Sequence, residues 1–150
     1  MSDTLVQYEV DGRAARLTLD SPHNRNALSS GLVRQLREGL QRAAADKTVR
    51  AVVLTAIGPC FSSGHNLKEL TARRADADRG RSYFTDIMGR CSALMQQIVA
   101  LPQPVIAAVQ GLAAALVGQG HVDPAGEQVL RVPLALAVAE QHECVGHGDS

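Results

Sequence analysis

Residues Ala51–Leu70 read AVVLTAIGPCFSSGHNLKEL, and the rest of the chain is organised around them. The stretch opens on the apolar, β-branched run Ala51–Ile57, the pattern of a strand buried on both faces. Gly58-Pro59 stops that strand, because Pro lacks a ladder donor and Gly admits unusual φ. Phe61–Asn66 is a loop of small residues, and Leu67-Lys68-Glu69-Leu70 starts a helix with Asn66 at its N-cap. A strand, a Gly-containing turn and a helix start expose backbone N–H groups at a sheet edge. Such groups can receive an anion or a developing oxyanion.

Working outward, Leu5–Val10 and Ala14–Asp20 flank Asp11-Gly12 and predict a β-hairpin. Leu17 and Leu19 share one face of the second strand, Arg16 and Thr18 the other. After the polar loop Ser21–Asn26, Ser29 or Ser30 caps a helix to about Ala45. Its buried stripe is Leu32, Leu36, Leu40 and Ala43, with Arg34, Arg37, Glu38 and Arg42 outside. Downstream, Thr71–Gly80 is a charged loop or frayed helix. Ser82–Leu101 carries Phe84, Ile87, Met88, Cys91, Leu94, Met95 and Ile98 at helical spacing and is stopped by Pro102. Pro104–Gln110 predicts a second buried strand, and Gly111–Ala115 a turn toward another helix. A hairpin followed by β-α-β-α-β predicts an α/β domain built from ββα-type units.

From Leu116 the pattern changes: Gly, Pro and His are scattered, and Val132–Val138 is the one clear apolar run. The chain therefore divides into 1–115 and a divergent tail, 116–150. With 150 residues it is one domain at most, long enough to bury a core. Fifteen Lys+Arg against fifteen Asp+Glu give a net charge of zero, which argues against a nucleic-acid or membrane-surface partner. Cys60, Cys91 and Cys144 are odd in number and widely spaced, as free thiols in a reducing compartment would be. The acidic start MSDTLVQYEV is neither a signal nor a transit peptide, and Val105–Gly118 is too short and interrupted to span a bilayer. A cytoplasmic protein is the expectation.

Three segments carry a family resemblance. FSSGHNLKEL at Phe61–Leu70, SPHNRNAL at Ser21–Leu28 and PQPVIAAVQGLAAA at Pro102–Ala115 resemble, in order and spacing, the motifs of the crotonase (enoyl-CoA hydratase/isomerase) superfamily. The wording is closest to its enoyl-CoA hydratase domain-containing members. The resemblance covers about Leu5–Ala115 and implies the N-terminal half of the spiral ββα fold. It ends where the family continues with a Gly-rich helix start and a strand closing on Cys-Asp. The tail is accordingly expected to be foreign to the fold, through a shifted frame, alternative splicing or a truncated gene.

The resemblance implies an acyl-CoA thioester as ligand, with no metal and no further cofactor. It implies fatty acid metabolism and, for a complete fold, a homotrimer. The thioester oxygen would sit between two backbone N–H groups, those of His65 and, counting from Gly111, of Leu116. Leu116 stands where the family carries a small residue and would crowd the thioester or misplace the turn. Gln119 occupies the first catalytic Glu position, and an amide cannot act as a general base. Ser63 and Gly64 would line the site, and Arg25 and Lys68 would approach the CoA phosphates.

Each residue also has a plainer reading. Arg25 and Lys68 are equally solvated charges, His65 a pocket-lining side chain and Cys60 a small buried hydrophobe. In the tail, His121, His142, Cys144, His147 and Asp149 are zinc-type ligands, but at no standard spacing. Phosphate-loop, Rossmann and nucleophile-elbow motifs are missing. Three functions follow: enolate-stabilised isomerisation, hydration or hydrolysis of an acyl-CoA; a non-catalytic CoA-binding or interaction relic; or an unstable fragment.

Overall fold

The computed structural model describes residues 3–113. In chain order the elements are β1 (Val6–Asp11), β2 (Ala14–Leu19), a 3-10 turn (Pro22–Asn24), α1 (Ser30–Ala45), β3 (Ala51–Ala56) and β4 (Cys60–Ser62). There follow α2 (Leu67–Ala72), a 3-10 turn (Arg73–Ala75), α3 (Arg81–Ala100), β5 (Val105–Ala107) and β6 (Leu112–Ala113). The main sheet runs β1-β2-β3-β5, and β4 pairs with β6 in a second, smaller one. This is the α/β arrangement expected from the sequence. The predicted division at residue 115 and everything read into 116–150 lie outside the described residues.

The hairpin closes through Gly12 and Arg13, with Asp11 opposite Ala14. Gly12 takes φ +59°, the left-handed conformation a tight two-residue turn requires. β2 then runs parallel to β3, Leu17 opposite Leu54, and β3 runs parallel to β5, Leu54 opposite Ala107. Period-2 alternation buries Ala15, Leu17 and Leu19 on one face. On the other, Arg16 pairs with Glu9 at 2.9 Å in solvent.

α1 begins where the sequence places it. Ser29 is the N-cap, its Oγ accepting from the Leu32 N–H at 3.1 Å. Leu32, Val33, Leu36, Gly39, Leu40 and Ala43 form the buried stripe. Each fully buried leucine of that stripe stabilises the fold by about 1.5–3 kcal/mol. The helix's last carbonyls are met from a distance, Gln103 Nε2 donating to Ala43 O at 3.0 Å. α3 adds Ile87, Cys91 and Leu94 to the same core cluster, and Gln97 locks it to α1 by donating to Arg37 O at 3.0 Å.

Several sequence expectations are corrected. β3 is buried on one face only: Val52 and Leu54 enter the cluster shared with α1 and α3, whereas Ala51, Val53 and Thr55 are half-buried. β5 is three residues long and partly exposed, not a buried strand over 104–110. It lies at the end of the described sheet, with β3 as its partner there. Phe84 is 52% exposed, and the buried residues of α3 begin only at Ile87. Cys60–Ser62 is strand, and Leu112–Ala113, expected within a turn, is the strand that pairs with it. Among the described residues no helix is long and apolar enough to cross a membrane.

α1 seats closely on β2. A Cβ on Gly39 would lie 2.4 Å from Leu17 Cδ2, and Leu17 is fully buried. Gly39→Ala gains up to about 1 kcal/mol of helix propensity but overpacks a closed core at about 1–3 kcal/mol. Urea unfolding should show a net loss of about 1 kcal/mol; a gain would mean that α1 does not seat on Leu17 in this way.

Candidate functional site

The site grows from the loop after β2. Arg25 and Asn26 are both left-handed, at φ 57° and 51°, a conformation that asparagine tolerates better than most side chains. It turns the fully buried Asn26 side chain inward. Its Oδ1 accepts from Ser21 N–H at 2.8 Å, and its Nδ2 donates to Ile57 O and Cys60 O, both at 2.9 Å. Ser62 Oγ donates to the Asn26 carbonyl at 3.0 Å. One amide thus fastens the loop after β2 to both sides of the Gly58-Pro59 turn.

The backbones then run side by side. Ser63 N–H donates to Arg25 O at 3.0 Å, Leu28 N–H to Gly64 O at 2.7 Å, and Asn66 N–H to Leu28 O at 3.3 Å. This is a parallel bridge between Leu28 and His65. In such a bridge Leu28 bonds the residues flanking His65, so the N–H and C=O of His65 itself point away from it. Among the described residues the His65 N–H has no acceptor. Gly64, at φ +84°, makes the preceding turn, and Asn66 starts α2, its Oδ1 accepting from Lys68 N–H at 3.1 Å and Glu69 N–H at 3.4 Å.

The third wall comes from the chain after β5. Phe61 N–H donates to Gln110 O at 3.1 Å, and Gln110 Nε2 donates to Ala56 O at 2.6 Å. Gly111 crosses the Gly58-Pro59 turn so closely that a Cβ there would lie 1.9 Å from Pro59 O. β6 then pairs in parallel with β4, Ala113 opposite Ser62.

The structure therefore brings together Arg25, Ser63, Gly64 and His65, with Lys68 in the first turn of α2. The side chains of Arg25 and Lys68 are exposed and make no ion pair among the described residues. The His65 side chain is half-buried, its Nδ1 3.9 Å from Cys91 Sγ. Burial pushes the Cys91 thiol above its ordinary value, which favours its protonated form. Leu116 and Gln119 lie outside the described residues, as do the zinc-type ligands of the tail. Among the described residues no group of three or more His, Cys, Asp or Glu is placed to hold a metal.

Two features escape the sequence reading. One is Asn26, whose Asn-Arg-Asn setting signals only a turn. The other is Glu69, three residues after the N-cap Asn66 as in a capping box. Its carboxylate instead accepts from Ser30 N–H at 3.1 Å, at the start of α1, and from Tyr83 Oη–H at 2.6 Å, on α3. Burial, and then the bond to Glu69, raise the Tyr83 phenol above its ordinary value. Glu69 thereby holds α2 against both long helices.

The family model for enoyl-CoA hydratase/isomerase matches residues 9–121, and the chain belongs to that family. Enoyl-CoA hydratase domain-containing protein 3, mitochondrial, of Xenopus laevis is 42% identical over 112 residues, covering 75% of this chain and 36% of that protein. The human protein of that name is 39% identical over 107 residues, covering 71% and 33%. The crystal structure of human enoyl Coenzyme A hydratase domain-containing protein 3 superposes with a TM-score of 0.69 at 34% identity, covering 75% of this chain and 43% of that one. An enoyl-CoA hydratase from Mycobacterium smegmatis gives 0.63 at 40% identity, covering 71% and 40%. The chain spans about a third of the length of the curated relatives it matches. The family match includes positions 116 and 119.

Asn26→Ala would strip donors from the Ile57 and Cys60 carbonyls and the acceptor from Ser21 N–H. Buried polar groups that lose partners cost about 1–3 kcal/mol each, so chemical denaturation should show a loss of about 3 kcal/mol or more. Asn26→Asp, which keeps the shape and loses both donors, should fail comparably. Wild-type stability in both variants would rule out the clasp.

Proposed function

We propose that the chain binds an acyl-CoA thioester and holds its carbonyl oxygen on the His65 backbone N–H. The supporting observation is the orientation of that N–H: the Leu28 bridge uses the groups on either side of it and leaves it directed outward behind Gly64. In this reading Leu116 supplies the second donor, and Ser63 and Gly64 border the thioester. Arg25 and Lys68, exposed and without ion pairs among the described residues, meet the CoA phosphates. A carbonyl oxygen so held gains most when it becomes an enolate, and removing one such donor costs about 10²–10³ in rate. The reaction class is therefore enolate-stabilised isomerisation or hydrolysis. Two-carboxylate hydration is disfavoured, because Gln119 has no basic lone pair to take a proton from water.

A second reading, a CoA-binding relic without turnover, is favoured by the same Gln119. Turnover of crotonyl-CoA or an isomerisable acyl-CoA separates the two. The reading includes a cytoplasmic location, suggested by the odd number and wide spacing of Cys60, Cys91 and Cys144, although the curated relatives are named mitochondrial. It needs no cofactor beyond the thioester itself. A trimeric assembly belongs to it for a complete fold.

The test is the melting temperature with CoA and with octanoyl-CoA. A ligand binding only the native state at 100 times its Kd adds about 2.7 kcal/mol, a shift of several degrees for a chain of this size. The acyl-CoA should raise the melting temperature more than CoA. A cooperative transition that neither ligand moves would overturn the proposal.

A further inference from the structure

A cleft lies between α2 and the start of α3. Its volume is about 330 Å³, at the small end of the range for ligand sites. Its apolar part is Leu67, Leu70 and Phe84, and its basic part is Arg74, Arg79 and Arg81. Leu67 and Phe84 are 71% and 52% exposed, a large apolar area to leave against water.

The two parts are arranged in sequence along one direction. Leu67, Leu70 and Thr71 share one face of α2, and Arg74, in the 3-10 turn that follows, joins them in lining the cleft. From Leu67, two residues after His65, to Arg74 the helix and the 3-10 turn after it rise roughly 11 Å. The cleft thus starts on α2 from apolar Leu67, two residues after His65 in the chain, and is cationic where Arg74 lies. The turn before α3 completes that far end. Gly80 takes φ +80°, and a Cβ there would lie 2.9 Å from Arg73 O, so the 79–81 backbone rests directly on the end of α2.

The nearby carboxylates are engaged elsewhere. Asp76 pairs with Arg73 at 3.9 Å, and Arg73 itself stacks 5.0 Å over the Tyr83 ring. Asp78 accepts from Gly80 N–H at 3.0 Å, from Ser82 N–H at 2.8 Å and from the Ser82 hydroxyl. Asp86 pairs with Arg90 at 2.9 Å. Among the described residues Arg74, Arg79 and Arg81 have no carboxylate partner. Guanidinium groups bind carboxylates in two-point fashion, and an unpaired cluster of them selects an anion.

We propose that this cleft selects acyl-CoA thioesters whose acyl chain ends in a carboxylate, with Leu67, Leu70 and Phe84 along the methylenes and Arg74, Arg79 and Arg81 on the distal anion. The inference rests on the acyl-CoA reading above, since it places the thioester at His65. An acyl chain of about eight carbons fits the span between the two ends.

Isothermal titration of the full chain with octanoyl-CoA and with octanedioyl-CoA tests it. The diacid should bind at least tenfold more tightly. Arg74→Gln combined with Arg81→Gln should abolish that preference and leave octanoyl-CoA affinity within twofold, and Arg79→Gln should weaken it on its own. Octanoyl-CoA binding with no preference for the diacid would overturn this inference and leave the acyl-CoA reading standing. So would a preference that survives all three substitutions. Binding of neither ligand would overturn both.

Discussion

The buried side-chain amide of Asn26 holds together three segments that are distant in sequence. It accepts from Ser21 and donates to Ile57 and Cys60, across separations of 5, 31 and 34 residues. These bonds matter for position as much as for energy. With the 21–26 loop fixed to the Gly58-Pro59 turn, Leu28 lies alongside His65, and the bridge between them decides where the His65 N–H points. Two neighbouring constraints reinforce the arrangement. Gly111 can cross Pro59 only because it has no Cβ, and Glu69 anchors α2 to α1 and α3.

Behind this polar frame stands an ordinary hydrophobic one. Leu17, Leu54 and Ala107 form a row across three strands, with α1 and α3 packed on the same side. The core sets the sheet and helices in place to within the tolerance of side-chain packing. The hydrogen-bonded loops at the sheet's edge then fix individual backbone groups to the tenths of an ångström that a donor needs. Stability is thus concentrated in the leucine-rich layer and the candidate site in the loops that Asn26 ties together.

How far the sequence reveals this depends on the kind of signal. The amphipathic period of Leu32, Leu36, Leu40 and Ala43 and the cap at Ser29 are local, and α1 lies where they place it. Asn66 as the cap of α2 was legible for the same reason. The apolar run Ala51–Ile57 showed a strand but overstated its burial, since composition does not say whether a second layer covers the far face. The β4–β6 pairing was not legible, because a two-residue strand has no period and Gly111 reads equally well as a turn. Of the candidate site, Gly64 and His65 were visible through their motif, and the described residues bring Arg25 and Ser63 beside them. The clasp of Asn26 and the turned carboxylate of Glu69 were hidden, since Ile57, Cys60 and Ser30, which they hold, lie 31–39 residues away in the sequence.

The central claim is that this frame aims one backbone N–H at a thioester oxygen. The most direct measurement is the amide proton resonance of His65, followed by NMR while octanoyl-CoA is added. A hydrogen bond to the thioester predicts a downfield shift of that proton which saturates with binding and is missing when CoA without an acyl group is used. If octanoyl-CoA binds to saturation and the His65 amide stays where it was in the free chain, the carbonyl is held elsewhere and the account is wrong.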